Sequence, residues 1–129
     1  MGRVIHFEIH AENPERAVKF YETMFGWKCT KWGGPMDYWL VSTGPDSAPG
    51  INGGLLKRRG PSPAPDAPCS AFPCTISVDN LKNTLAELPA AGGVEVVPTM
   101  AVPGIGWLAY GHDTENNVFG MMQEDPGAA

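Results

Sequence analysis

A chain of 129 residues can hold one hydrophobic core and is too short for two independent domains of ordinary size. With 43% hydrophobic and 18% charged residues, its composition excludes a disordered or fibrous chain. A net charge of -5 leaves no basic face to neutralise phosphates, the cationic cluster being Lys57, Arg58 and Arg59, so nucleic acid is not an expected partner. Cys29, Cys69 and Cys74 lack a CxxC spacing and read as reduced thiols rather than a disulfide framework or a structural zinc site. No run approaches the roughly 18 apolar residues of a membrane span, and no leader pattern opens the chain. The expectation is a soluble cytoplasmic protein with no membrane partner.

In chain order, Ile5 to Ile9 alternate, with Ile5, Phe7 and Ile9 on one face and His6, Glu8 and His10 on the other, the period of a half-buried strand. A helix follows, with Asn13 as N-cap, Pro14 at its first position, and Ala17, Val18, Tyr21, Met24 and Phe25 on one stripe before Gly26 stops it. Trp27 to Trp32 and Tyr38 to Thr43 flank the turn GGPMD as two antiparallel strands, and a fourth short strand lies near Ile51 to Lys57.

The pattern then recurs. At an offset of 67, Ile9 falls on Ile76, Glu12 on Asp79, Asn13 on Asn80, Val18 on Leu85 and Gly26 on Gly93. The pair Trp39 and Leu40 meets Trp107 and Leu108 at an offset of 68, and Gly54 to Leu56 meets Gly120 to Met122 at 66. A second βαβββ module is therefore expected over about residues 72–124, after a first over about 3–58. The proline-rich segment of about residues 59–71 is expected to be an extended linker, and residues 125–129 a frayed tail.

The segments HFEIHAENPERAVKFYETMFGW, GGPMDYWLV, INGGLL, ISVDN, AVPGIGWLAY and DTENNVFGMM resemble the vicinal oxygen chelate superfamily of glyoxalases, bleomycin-resistance proteins and dioxygenases, in particular its branch related to lactoylglutathione lyase. The resemblance covers nearly the whole chain. It implies a single α+β domain of two βαβββ modules forming an open eight-stranded cup, with helices outside and a ligand on the concave face. It does not settle the chemistry, because many functions share this scaffold.

Metalloenzymes of the superfamily place four ligands in the cup, on the first and fourth strands of each module. Carried over, these positions fall on His6, at or beside Gly54, on Pro73 and on Gly120. Only His6 can coordinate, and one imidazole does not make a divalent metal site. No cofactor is expected, and the standard metal site is rejected. A metal-dependent lyase or dioxygenase using non-standard ligands such as His6, Glu8 and His112 stays an alternative.

His6 and Glu8 are the candidate catalytic pair, since an imidazole beside a carboxylate suits general acid–base work. A hydrogen bond that only satisfies the cup wall is the other reading. Candidate ligand-binding residues are Trp39, Asn52, Gly54, Thr75, Ser77, Met100, Trp107, Tyr110, Gly120 and Met122, an apolar lining with a few polar points. Asn52 could equally serve a turn, and the glycines could either enlarge a pocket or permit close packing. Trp27, Trp32 and Phe25 are expected between helix and sheet. His112, Asp113 and Glu115, with DTENN as a turn, are expected in solvent. His10 is ambiguous. No GxSxG, P-loop, GxGxxG or HExxH pattern occurs. The function expected is binding of a small, partly apolar molecule, with or without metal-independent catalysis. The alternative is a non-catalytic module that sequesters a drug or metabolite. A homodimer is expected, because an open sheet with exposed edges gains from pairing.

Overall fold

The computed structural model describes residues 2–129 and contains β1 (Phe7–Ala11), α1 (Pro14–Phe25), β2 (Lys28–Lys31), β3 (Tyr38–Ser42), β4 (Gly53–Lys57), β5 (Thr75–Ser77), α2 (Leu81–Glu87), β6 (Val94–Val102), β7 (Gly106–His112) and β8 (Val118–Glu124). The strands form two four-stranded sheets, ordered β1-β4-β3-β2 and β5-β8-β7-β6. In each, the first strand runs parallel to the fourth and the other pairings are antiparallel. The duplication expected from the sequence is thus present as two βαβββ modules. The chain divides into two compact units after Ser62.

Both helices start the same way. The Asn13 side chain accepts from the Arg16 N–H at 3.1 Å, and the Asn80 side chain accepts from the Asn83 N–H at 3.0 Å, satisfying donors that have no intrahelical partner. They end differently. Gly26, at φ 68°, closes α1 in the left-handed conformation and donates to the Glu22 carbonyl. Pro89 truncates α2 at seven residues, and the left-handed glycine of that turn is Gly92 rather than Gly93, the position paired with Gly26 by sequence.

In the first unit α1 packs Ala17, Phe20, Tyr21 and Met24 against the sheet face carrying Ala11, Trp39, Val41 and Leu55, all buried. Trp27 stacks on Tyr21 at 5.0 Å between ring centroids and touches Phe7 and Phe25, as expected of core aromatics. In the second unit Leu81 and Leu88 are buried with Ala109, Phe119 and Met121. Pro98 sits in β6, an edge strand with register shifts, where a missing N–H breaks no central ladder.

Two expectations are corrected here. Asp113 and Glu115 are 2% and 1% exposed, and His112 is buried too, so this turn is not in solvent. The Asp113 carboxylate turns inward to accept from the Glu115 and Asn117 N–H groups at 2.8 and 2.9 Å, and the Asn116 amide donates to the Pro63 carbonyl. The tail is not frayed. Trp107 Nε1 donates to Asp125 at 3.0 Å, the Gly104 N–H donates to the Ala128 carbonyl, and Ala128 is buried.

Candidate ligand-binding site

The face of the first sheet opposite α1 is set by strand register. Glu8 lies beside Gly54, Gly54 beside Leu40 and Leu40 beside Thr30, while His10, Leu56 and Tyr38 form the next rung. At its centre stands Tyr38, which the sequence pattern does not single out. The Tyr38 hydroxyl lies 3.0 Å from His6 Nε2 and 3.2 Å from Glu8 Oε2. A carboxylate only accepts, so the phenol proton goes to Glu8 and the His6 imidazole donates to the phenol oxygen. The other Glu8 oxygen faces His10 Nε2 at 3.7 Å. His6, Tyr38, Glu8 and His10 thus form one polar chain on an accessible face.

Gly54 makes this arrangement possible. A Cβ there would sit 1.7 Å from the Tyr38 hydroxyl oxygen and 2.1 Å from Cζ, so the ring fills space that any side chain would claim. Close packing therefore accounts for this glycine. Partial burial, then the neighbouring Glu8 charge and the hydrogen bond to it, push the Tyr38 pKa above the ordinary tyrosine range. The phenol is neutral at neutral pH.

Trp32 is not between helix and sheet as expected. It shares the face of Thr30, is 41% exposed, and meets Tyr38 edge to face at 6.3 Å and 78°. Its ring lies over Gly34, where a Cβ would come within 2.3 Å of ring carbons. Half-exposed Leu40 supplies apolar surface on the same face.

Trp39 is on the opposite, helix-covered face, opposite Leu55 and 8% exposed. The Asn52 side-chain oxygen accepts from the Thr43 N–H at 3.0 Å and so serves the loop before β4. In the second unit, one rung joins Met100, Leu108, Met122 and Ser77, and the adjacent rung joins Val97, Tyr110, Gly120 and Thr75. Six expected positions, Thr75, Ser77, Met100, Tyr110, Gly120 and Met122, therefore share one sheet face. A Cβ at Gly120 would meet Thr75 Oγ1 at 2.8 Å and Tyr110 at 3.3 Å, a looser version of the packing at Gly54. Trp107 pairs with Gln123, whose side chain accepts from the Leu81 N–H at the start of α2, so it lies on the helix side.

The superfamily's standard metal set does not fit these residues. Gly54 and Gly120 offer no donor atoms, Pro73 precedes β5, and Tyr38 occupies the space beside Gly54. Among the described residues no group of three His, Cys, Asp or Glu is arranged to hold a metal ion.

A family model described as "Bleomycin resistance protein-like N-terminal" matches residues 3–44, the span of β1 to β3. A glyoxylase-like domain-containing protein of Didymella fabae is 30% identical over 121 residues, 90% of this chain and 89% of that protein. Among solved structures, a glyoxylase/bleomycin resistance protein/dioxygenase domain from Frankia sp. superposes with a TM-score of 0.70 at 19% identity, covering 97% of this chain and 99% of that one. Glyoxalase I of Leishmania major has a TM-score of 0.70 at 20% identity, covering 96% and 88%. A fosfomycin resistance protein of Listeria monocytogenes has a TM-score of 0.70 at 11% identity, covering 97% and 95%. With its two βαβββ modules, this chain belongs to the glyoxalase/bleomycin resistance/dioxygenase superfamily, the vicinal oxygen chelate proteins.

Proposed function

We propose that the protein binds a small, partly apolar molecule on the open face of its first sheet and engages it through side chains rather than through the superfamily's standard metal site. The observation that carries this is the Tyr38 hydroxyl, held between His6 and Glu8 on a face where Trp32 and Leu40 are also accessible. Convergent polar groups set in apolar surface are what a small-molecule site needs. The same chain is suited to proton transfer. A phenol that donates to a carboxylate and accepts from an imidazole can exchange a proton with a bound ligand while Glu8 or His6 restores it. We assign His6 and Glu8 the acid–base roles, with Tyr38 between them.

A sequestering role without turnover is the second reading, favoured by the match of the bleomycin-resistance-like model to three of the four strands that build this face. The protein is further proposed to pair as a homodimer in the cytoplasm. Val4, Ile5 and Phe72, at 75%, 80% and 98% exposure, offer apolar surface for pairing. No helix among the described residues is long and apolar enough to cross a membrane.

Amide chemical-shift mapping with a panel of small aromatic alcohols, amines and carboxylates tests the site. The expected result is perturbation centred on Glu8, Trp32 and Tyr38, abolished by Tyr38→Ala. Binding that leaves these amides unmoved would reject it.

A further inference from the structure

The proposed site is uneven in charge. Glu8 meets the Tyr38 hydroxyl and the His10 imidazole, and among the described residues of the first unit no Lys or Arg pairs with it. Lys28 stands on the same face, beside Ser42 at the start of β2, while four other cations of the first unit are held elsewhere. Lys31 pairs with Asp37 at 3.2 Å and lies over the Trp39 ring on the helix side, Arg58 donates to the His10 carbonyl, Lys57 donates to the Glu12 carbonyl, and Arg16 pairs with Glu12. The Glu8 side chain is 45% exposed. A carboxylate with no fixed cation therefore faces outward on a protein of net charge -5.

Next to it stand two aromatic rings at nearly a right angle. Trp32 and Tyr38 are 6.3 Å apart at 78°, and the Trp32 ring lies against Gly34. Ring faces carry negative quadrupole potential, and a Tyr that donates its proton to a carboxylate is a richer ring than a free phenol. Perpendicular rings and a carboxylate are complementary to a positive charge spread over methyl or methylene groups, which gives up its water more readily than a metal ion does.

We propose that the open face of the first sheet takes an organic ammonium ion, an amine or quaternary ammonium group set between Trp32, Tyr38 and Glu8. This rests on reading that face as the ligand site and gives its ligand a charge. The acceptor-rich inventory also disfavours carboxylate or phosphate ligands there, since Glu8 would repel them.

Three matched probes test it by calorimetric titration of the full chain: benzyltrimethylammonium, benzyl alcohol and benzoate. The ammonium should bind about tenfold tighter than the alcohol, with benzoate weakest. Glu8→Gln should weaken the ammonium about tenfold, so that its advantage over the alcohol is lost, and added salt should act in the same direction. Trp32→Leu should reduce the preference for the ammonium over the alcohol, with circular dichroism confirming that each variant is folded. If alcohol or benzoate binds as tightly as the ammonium and Tyr38→Ala abolishes that binding, the ammonium assignment fails and the site stands. If none of the three binds at millimolar concentration, both are overturned.

Discussion

Gly54→Ala tests the packing that places Tyr38. The new methyl would lie 1.7, 2.1 and 2.5 Å from Oη, Cζ and Cε1 of Tyr38, where unstrained contacts are near 3.5 Å. Tyr38 stands on an accessible face, so the clash is relieved by swinging the ring and not by moving strands. That loses hydrogen bonds to His6 and Glu8, partners that water can reach, at about 1 kcal/mol for the two together. An off-rotamer ring adds about 1 kcal/mol, and the stiffer unfolded chain returns about 0.5–1 kcal/mol. The net loss is about 1 kcal/mol. In a Tyr38→Ala background the clash and hydrogen-bond terms vanish, and Gly54→Ala should become stabilising by about 0.5 kcal/mol. The coupling between the two positions is then about 1.5–2 kcal/mol, measurable as midpoint shifts in urea at constant slope. Equal destabilisation by Gly54→Ala in both backgrounds would show instead that the glycine serves the backbone and not the ring.

Further outcomes follow from other parts of the chain. Asp113→Ala strips acceptors from two backbone N–H groups in a buried turn and should cost about 2–4 kcal/mol by thermal unfolding, with Asp113→Asn less damaging; a loss within 0.5 kcal/mol or so would contradict the turn's role. Burial, then the Glu22 charge, pushes the Cys29 thiol up to about 11, which leaves it about a hundredfold less thiolate than an ordinary cysteine. Peptide mapping after brief alkylation at mildly alkaline pH should therefore find exposed Cys69 modified before Cys29. The raised Tyr38 pKa means the folded state keeps a proton that the unfolded state gives up first. Its stabilising contribution is present below the ordinary tyrosine range and is lost as pH rises through the folded value. Wild-type stability should fall more steeply with alkaline pH than that of Tyr38→Phe, and parallel profiles would show that the phenol environment does not matter.

The alternation of β1 makes the face of His6 and Glu8 readable from sequence, and an Asn marks the start of each helix. The β3 segment YWLVS has no polar alternation, so its pattern does not say which face each side chain takes. Recurrence at an offset of 68 suggests Trp39 and Trp107 as lining, yet register puts both on the helix side and Tyr38 on the open one. The sequence signal available for Tyr38 is Gly54, a missing side chain in a strand that a neighbouring ring can cover, although on its own it does not say which ring. Trp32 shares parity with Lys28 and Thr30 in β2, which places it outside the core despite its size. The burial of Asp113 and Glu115 depends in part on Pro63, far away in sequence, and local reading of a polar turn cannot supply such a contact. The same holds for Asp125, whose pKa is lowered by the Trp107 N–H and then by the Gly127 N–H.

His6, Glu8 and Tyr38 are proposed to engage an organic ligand without the superfamily's metal set. A crystal structure of protein purified without chelators or added ligand, paired with elemental analysis, tests it most directly. The prediction is organic density against Tyr38 and Trp32 with less than about a tenth of an equivalent of divalent metal. A metal ion bound by three protein donors at this face would contradict it.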